Sequence, residues 1–224
     1  MSTSSKAILW DNDGVLVDTE HLFFEANREI LAPLGVELTP RMFLDWYLLD
    51  NCGAWHLLYG RGYGPADIPA LRQQRNQIQT RLLRERLAQN SQLAIPGMPQ
   101  LVAQLASCAR MGVVTSAIRE HFDLIHADLP FKQHIEFALT DECYVNSKPA
   151  PDPYLAGLAR LKMPARDCLA VEDSPRGLLA ARAAGLRCVV LQSALTLDYT
   201  FPGAYAVARD VTELGNILQD VLRA

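Results

Sequence analysis

The stretch Trp10-Asp11-Asn12-Asp13-Gly14-Val15-Leu16-Val17-Asp18-Thr19-Glu20 holds the residues best suited to covalent chemistry. Asp11 and Asp13 are carboxylates at i and i+2, directly after the apolar run Ala7-Ile8-Leu9-Trp10, and Gly14 follows them. A tight turn at the end of a buried strand would aim both carboxylates at one point. Asp11 could then attack phosphorus, with Asp13 one step away as acid and base, because carboxylate nucleophiles carry phosphoryl groups as aspartyl phosphates. An Asn-Asp-Gly turn closing a strand is the plainer explanation of those three residues alone. The full string, set at a strand end, favours chemistry. Further candidates are Thr115-Ser116, Lys148 in Ser147-Lys148-Pro149-Ala150-Pro151-Asp152-Pro153-Tyr154, and Glu172-Asp173. Each has an ordinary alternative: Thr115 ends a strand, a lone lysine lies on the surface, and an acidic pair suits a helix N-terminus.

Three apolar runs would position these residues. Ala7–Trp10 leads into Asp11, Gly112–Val114 into Thr115 and Ser116, and Leu169–Val171 into Glu172 and Asp173. A fourth, Cys188–Leu191, follows a helical pattern over Arg176–Ala184. Short apolar strands alternating with helices predict an α/β fold, a doubly wound parallel-sheet Rossmann-like core covered on both faces. Right-handed crossovers would bring the carboxyl ends of these strands to one edge, where such sheets bind ligands. Residues 18–92 read differently, without a convincing strand. Thr19–Pro33 places Leu22, Ala26 and Ile30 on one helical face, and Ala70–Ala88 spaces Leu71, Ile78, Leu82 and Leu83 for another. Pro65, Pro69, Pro96 and Pro99 punctuate the later connections. The expected domains are an α/β core of residues 1–17 and 93–224 with an inserted α-helical cap domain over 18–92.

Composition bounds the function. The 224 residues are half hydrophobic, with a formal net charge of -4, a poor balance for non-specific nucleic-acid binding. No apolar run reaches the roughly 20 residues needed to span a bilayer, and the opening MSTSSK lacks the apolar stretch of a signal peptide. Cys52, Cys108, Cys143, Cys168 and Cys188 are odd in number, scattered and without a C-x-x-C pair. They read as reduced, mostly buried thiols of a cytoplasmic protein, not a disulfide framework or a zinc site.

The string WDNDGVLVDTE resembles motif I of the haloacid dehalogenase-like superfamily, whose usual form is F-D-x-D-G-V-L-x-D-T/S-E. The later motifs follow in order: Thr115 in VVTSA, Lys148 in SKPAPDPY, and Glu172-Asp173 in VEDSPRGLLAARAAG. The resemblance implies a magnesium-dependent phosphotransferase with Asp11 as nucleophile, Asp13 as acid and base, and Lys148 bridging Asp11 and the phosphoryl oxygens. It places Thr115 on a phosphoryl oxygen, helped by backbone N–H groups near Ser116, Asn12 and Asp13. Magnesium would be held by the Asp11 carboxylate, the Asp13 main-chain carbonyl and Asp173, with Glu172 either a ligand or a support. A hard cation held by oxygen ligands offsets the charge of a phosphoryl dianion among carboxylates.

The position of the insertion resembles the β-phosphoglucomutase-like group, and three features discriminate within the family. Dehalogenases lack the second motif I aspartate, and Asp13 is present. Phosphonatases need a cap lysine, and Lys6, Lys132, Lys148 and Lys162 all lie outside the insertion. The mutase has a cationic cap turn where Asn51-Cys52-Gly53-Ala54 stands, and a histidine where Phe23 stands, although Arg75-Asn76 resembles its Lys-Asn pair. Hydrolysis of a small phosphate ester, a sugar phosphate above all, is the expected reaction. A mutase, or a non-catalytic binding protein of the same fold, is the alternative. Arg75, Trp55 and His56 are the candidate substrate residues of the insertion, with Tyr47 and Arg61 beside them; ordinary packing or surface is their plainer reading. The implied partner is a small-molecule phosphate ester, with no nucleic acid and no membrane, and the relatives suggest a monomer.

Overall fold

In the computed structural model, residues 5–89 and 93–223 are described. Contacts divide the chain into two compact units, one of residues 1–18 with 94–224 and the other of residues 19–93. The first unit carries a six-stranded sheet, β1 (Ala7–Trp10), β2 (Arg110–Val114), β3 (Phe137–Leu139), β4 (Cys168–Glu172), β5 (Arg187–Leu191) and β6 (Ala206–Ala208). All neighbours are parallel, in the order β3-β2-β1-β4-β5-β6. The alternation explains why the strands are apolar throughout. Ala7, Leu9, Ala170, Cys188 and Val190 belong to one core cluster with Tyr154 and Leu178, while Ile8, Trp10, Val113, Val171 and Val189 are equally buried. Successive side chains of a strand face opposite sides, so helices must cover both faces, as a doubly wound parallel sheet requires.

Register sets the chemistry-bearing residues level. Trp10 pairs with Val113 on one side and Val171 on the other. One residue on, Asp11, Val114 and Glu172 share a level; the next brings Thr115 and Asp173. The strand order reverses between β1 and β4, the topological switch point where open α/β sheets bind ligands beyond their carboxyl ends.

The flanking helices are α4 (Met98–Leu105), α5 (Arg119–Ile125), α6 (Asp152–Leu161), α7 (Pro175–Ala183) and α8 (Val211–Arg223). Ser174 caps α7, its hydroxyl accepting from Gly177 N at 3.2 Å. Gly157 lets α6 lie against β1, since a Cβ there would stand 2.8 Å from Leu9 Cδ1. The second unit holds α1 (Glu20–Leu31), α2 (Pro40–Phe43) and α3 (Ile68–Ala88). Leu22, Ala26 and Ile30 of α1 are buried, as are Leu71 and Leu83 of α3, and α1 packs on α3.

Several expectations are corrected. β3 and β6 did not register as strands: each is a three-residue edge strand, too short for an apolar run. A π-helical turn over Leu44–Leu49 follows α2 and has no helix-period signature. Pro69 and Pro99 sit in the first turns of α3 and α4, where a missing N–H costs nothing. A turn follows Lys148, with Ala150 N bonded to Ser147 O at 3.0 Å, and α6 begins at Asp152. None of the five cysteines is in a disulfide, but Cys52, Cys108 and Cys143 are exposed because they lie in connections, and only Cys168 and Cys188 are buried. No described helix is long and apolar enough to cross a membrane.

Gly112 pairs with Phe137, whose ring covers it; a Cβ at Gly112 would stand 2.3 Å from Phe137 Cζ. Gly112→Ala is expected to destabilise the protein by about 1–3 kcal/mol through overpacking. The urea midpoint reads this, and Gly112→Ala with Phe137→Leu should recover part of the loss.

Candidate active site

Lys148 is the centre of the strand-end cluster. It is 1 % exposed, and its ammonium donates to Asp11 Oδ1 at 2.8 Å, Glu172 Oε1 at 2.6 Å and the Val114 carbonyl at 3.0 Å. An ammonium has three N–H groups, and protein acceptors take all of them. The Tyr154 ring lies 5.2 Å from the ammonium, and its hydroxyl donates to Glu172 Oε1 at 2.6 Å. Glu172 Oε2 in turn accepts from Ser174 Oγ at 3.2 Å and from Asp173 N at 3.3 Å. Gly177 leaves room for this carboxylate, since a Cβ there would stand 2.0 Å from Glu172 Oε2.

Burial and charge oppose one another here. Burial, aided by the negative charge of Glu172, pushes the Asp11 carboxyl up to about 7 against the pull of Lys148. Burial would lower the Lys148 pKa, but the charges and hydrogen bonds of Asp11 and Glu172 outweigh it, and the net shift is upward. The lysine therefore stays an ammonium.

Carboxylate oxygens of Asp11, Glu172 and Asp173 lie within 4.8 Å of one another, and all three residues are buried. Gly14 makes the grouping possible. It has φ +77°, and a Cβ there would stand 2.0 Å from Asp173 Oδ2, so only a glycine suits both the turn and the approach. Three acids against one ammonium leave an excess of negative charge in a dry place, and the donors are all hard oxygens. That set fits a divalent cation of the magnesium or calcium kind.

Asp13 turns toward a different set of partners. Its Oδ2 accepts from Asn12 Nδ2 at 3.2 Å and from Thr115 Oγ1 at 3.4 Å. Thr115 is buried, its Oγ1 accepts from Ala117 N at 3.0 Å, and its carbonyl accepts from the Tyr144 hydroxyl at 2.7 Å. Ser116 follows in the same turn, half-buried. Asn12 Oδ1 lies 2.6 Å from His126 Nε2. Because the Asn12 side chain is buried and engaged at both ends, what it leaves for a phosphate is its main-chain N–H. Thus Asp11, Asp13, Thr115, Lys148, Glu172 and Asp173 meet at one edge of the sheet. His126, Tyr154 and Tyr144 were missed by sequence reasoning. A polar residue at Asn12 was the one signal that a buried partner waited elsewhere.

In the second unit, Arg75 lies 4.5 Å over the Phe23 ring and donates to Asn76 Oδ1 at 2.9 Å and Asn27 Oδ1 at 3.4 Å. Trp55 and Tyr47 are buried, the Tyr47 hydroxyl accepting from Ala54 N at 3.1 Å. His56 is exposed, with Nδ1 3.2 Å from the Gly53 carbonyl, and Arg61 donates to the Gly35 carbonyl at 2.8 Å.

Comparison with known proteins adds a family. A family model described as haloacid dehalogenase-like hydrolase matches residues 8–191. Protein CbbY of Rhodobacter capsulatus is 32% identical over 215 residues, covering 89% of this chain and 90% of that protein. Hexitol phosphatase B of Escherichia coli K12 is 27% identical over 187 residues, with 83% and 82% covered. Among solved structures, CbbY of Rhodobacter sphaeroides in complex with xylulose-(1,5)bisphosphate superposes with a TM-score of 0.76 at 25% identity, covering 94% of this chain and 96% of that one.

His126 supplies a pH test. Burial lowers its pKa from 6.5 to about 4, against the raising influence of Asp13. The unfolded chain therefore binds this proton first as pH falls, and stability is lost progressively from about pH 6.5 down to about 4. The loss is expected to reach roughly 3 kcal/mol across that window. Urea midpoints at pH 7 and pH 4.5 should differ less in His126→Phe than in the parent; equal differences would mean that His126 charges freely in the fold.

Proposed function

Within the haloacid dehalogenase-like hydrolases, to which the chain belongs, we propose that it is a magnesium-dependent phosphatase that hydrolyses a small phosphate monoester, a sugar phosphate, through an aspartyl phosphate on Asp11. The observation that carries the reading is the buried Lys148 ammonium bonded to Asp11 at 2.8 Å and to Glu172 at 2.6 Å. It fixes a carboxylate at the end of β1 in a dry, cation-supported site. The phosphatase relatives, and the xylulose bisphosphate bound by CbbY of Rhodobacter sphaeroides, support the substrate class.

In the first step an Asp11 carboxylate oxygen forms a bond to phosphorus as the ester P–O bond breaks, and Asp13 gives its proton to the departing alkoxide. In the second, Asp13 takes a proton from water, whose oxygen attacks phosphorus. Inorganic phosphate leaves and Asp11 is regenerated. Thr115, with main-chain N–H groups of Asn12, Asp13 and Ser116, binds the phosphoryl oxygens. The donors of Lys148 orient Asp11, and its charge stabilises the transferring group. The acidic cluster would hold the magnesium through Asp11, Asp173 and the Asp13 main-chain carbonyl. Glu172, with both oxygens engaged by protein donors, supports Lys148 and the shell. When bound, the ion supplies positive charge against the phosphoryl oxygens.

Residues 18–92 are proposed as the cap domain that selects the ester, with Arg75 its cation. Hydrolysis is favoured over a mutase because the turn Asn51–Ala54 offers no cation for a second phosphate. The same reading makes the protein a cytoplasmic monomer.

Phosphate release from a panel of sugar phosphates, with and without magnesium, tests the proposal. Asp11→Asn should lower the magnesium-dependent rate by at least about 10³-fold, and release unchanged by that substitution would sink it. The ion has its own readout: magnesium should raise the melting temperature of the parent but not of Asp173→Asn, since a ligand that binds only the folded state stabilises it.

A further inference from the structure

The buried side chains of His126 and Asn12 have no part in the mechanism above, and their geometry gives them one. Asn12 lies between the two motif I aspartates, in a turn where three main-chain N–H groups, of Val15, Leu16 and Val17, converge on the Asn12 carbonyl. Its side chain is wholly buried. Nδ2 faces the Asp13 carboxyl at 3.2 Å, so Oδ1 faces His126 Nε2 at 2.6 Å. A carbonyl oxygen only accepts, so Nε2 carries the proton and donates it. Burial keeps the imidazole neutral, its pKa at about 4, and two rings hold its plane. Phe122 stacks at 4.0 Å and 18°, and Phe131 meets it edge-on at 5.9 Å. Reversing the Asn12 amide would set its oxygen against a carboxylate oxygen and leave the His126 N–H without an acceptor, at a cost of about 1–3 kcal/mol for each buried polar group left unsatisfied.

We propose that Asn12 and His126 are positioning residues: the fixed His126 N–H locks the Asn12 amide, and the amide pins Asp13 Oδ2 so that Oδ1 presents the proton to the leaving group. The proposal rests on Asp13 being the leaving-group acid. General acids contribute about 10²- to 10⁴-fold, and small displacements of an oriented group forfeit much of that. The chain therefore matters most where the leaving oxygen is most basic.

The test uses substituted aryl phosphates, which share one shape and differ in leaving-group basicity. With p-nitrophenyl phosphate, whose phenolate departs easily, kcat/KM of His126→Phe should stay within about 3-fold of the parent. With p-methoxyphenyl phosphate it should fall by about 10- to 100-fold. His126→Phe keeps a ring between Phe122 and Phe131 and removes the N–H to Asn12, and a purely structural role would lower both rates alike. His126→Gln, whose amide can donate to Asn12 Oδ1, should recover most of the p-methoxyphenyl rate. Should His126→Phe fail to fold, Asn12→Leu with His126→Leu removes both polar groups together and should give the same steepened dependence. Asp13→Asn is the reference. If it steepens the dependence while the His126 and Asn12 variants do not, the positioning role is overturned and Asp13 remains the acid. If Asp13→Asn lowers every aryl phosphate equally, the acid assignment itself fails and the positioning role with it.

Discussion

A carboxylate taken out of water needs a cation, and for Asp11 the cation is the buried ammonium of Lys148. Removing a carboxylate or an ammonium from water costs several kcal/mol each, and the attraction between them offsets this only with close geometry and further hydrogen bonds. Lys148 meets those terms through contacts to Asp11, Glu172 and a strand carbonyl. Tyr154 and Ser174 satisfy what remains of Glu172. The demand reaches outward from there. α6 must begin just after Lys148 and run against β1 for Tyr154 to arrive, and Gly157 permits that approach. β4 must keep its register with β1 for Glu172 to stand level with Asp11.

Two kinds of glycine serve the same end. Gly14 allows a turn with positive φ and the approach of Asp173, while Gly177 leaves the volume that the Glu172 carboxylate fills. Neither carries a reacting atom. Both set how closely negative groups gather, and so how strongly the cluster attracts positive charge.

The parts legible in the sequence are those where one residue's chemistry and its place on an element coincide. Asp11, Thr115 and Glu172-Asp173 each follow an apolar run, and a parallel sheet brings such strand ends together whatever the separation along the chain. Lys148 lies in a loop and was identified by resemblance; its depth of burial and the turn after it were not foreseeable. β3 and β6 were missed because three-residue edge strands lack the apolar depth of central ones. The link from Asn12 to His126 spans 114 positions, and nothing local to either residue specifies it. In the inserted unit, Phe23 and Arg75 stood out separately, and only the packing of α1 on α3 sets the guanidinium over the ring.

The chain leaves the sheet-bearing unit after Asp18 and re-enters it at Ala94, and Val17 and Ala94 are joined by an antiparallel bridge, with Ile95 N bonded to the Leu16 carbonyl at 3.1 Å. Departure and return therefore share one doorway, stitched shut by the core itself. An insertion is tolerated where its two ends lie close together, so the sheet is indifferent to how long the excursion is or what it folds into. Whatever the excursion folds into, the strand ends that lead into Asp11, Thr115 and Glu172 keep their register.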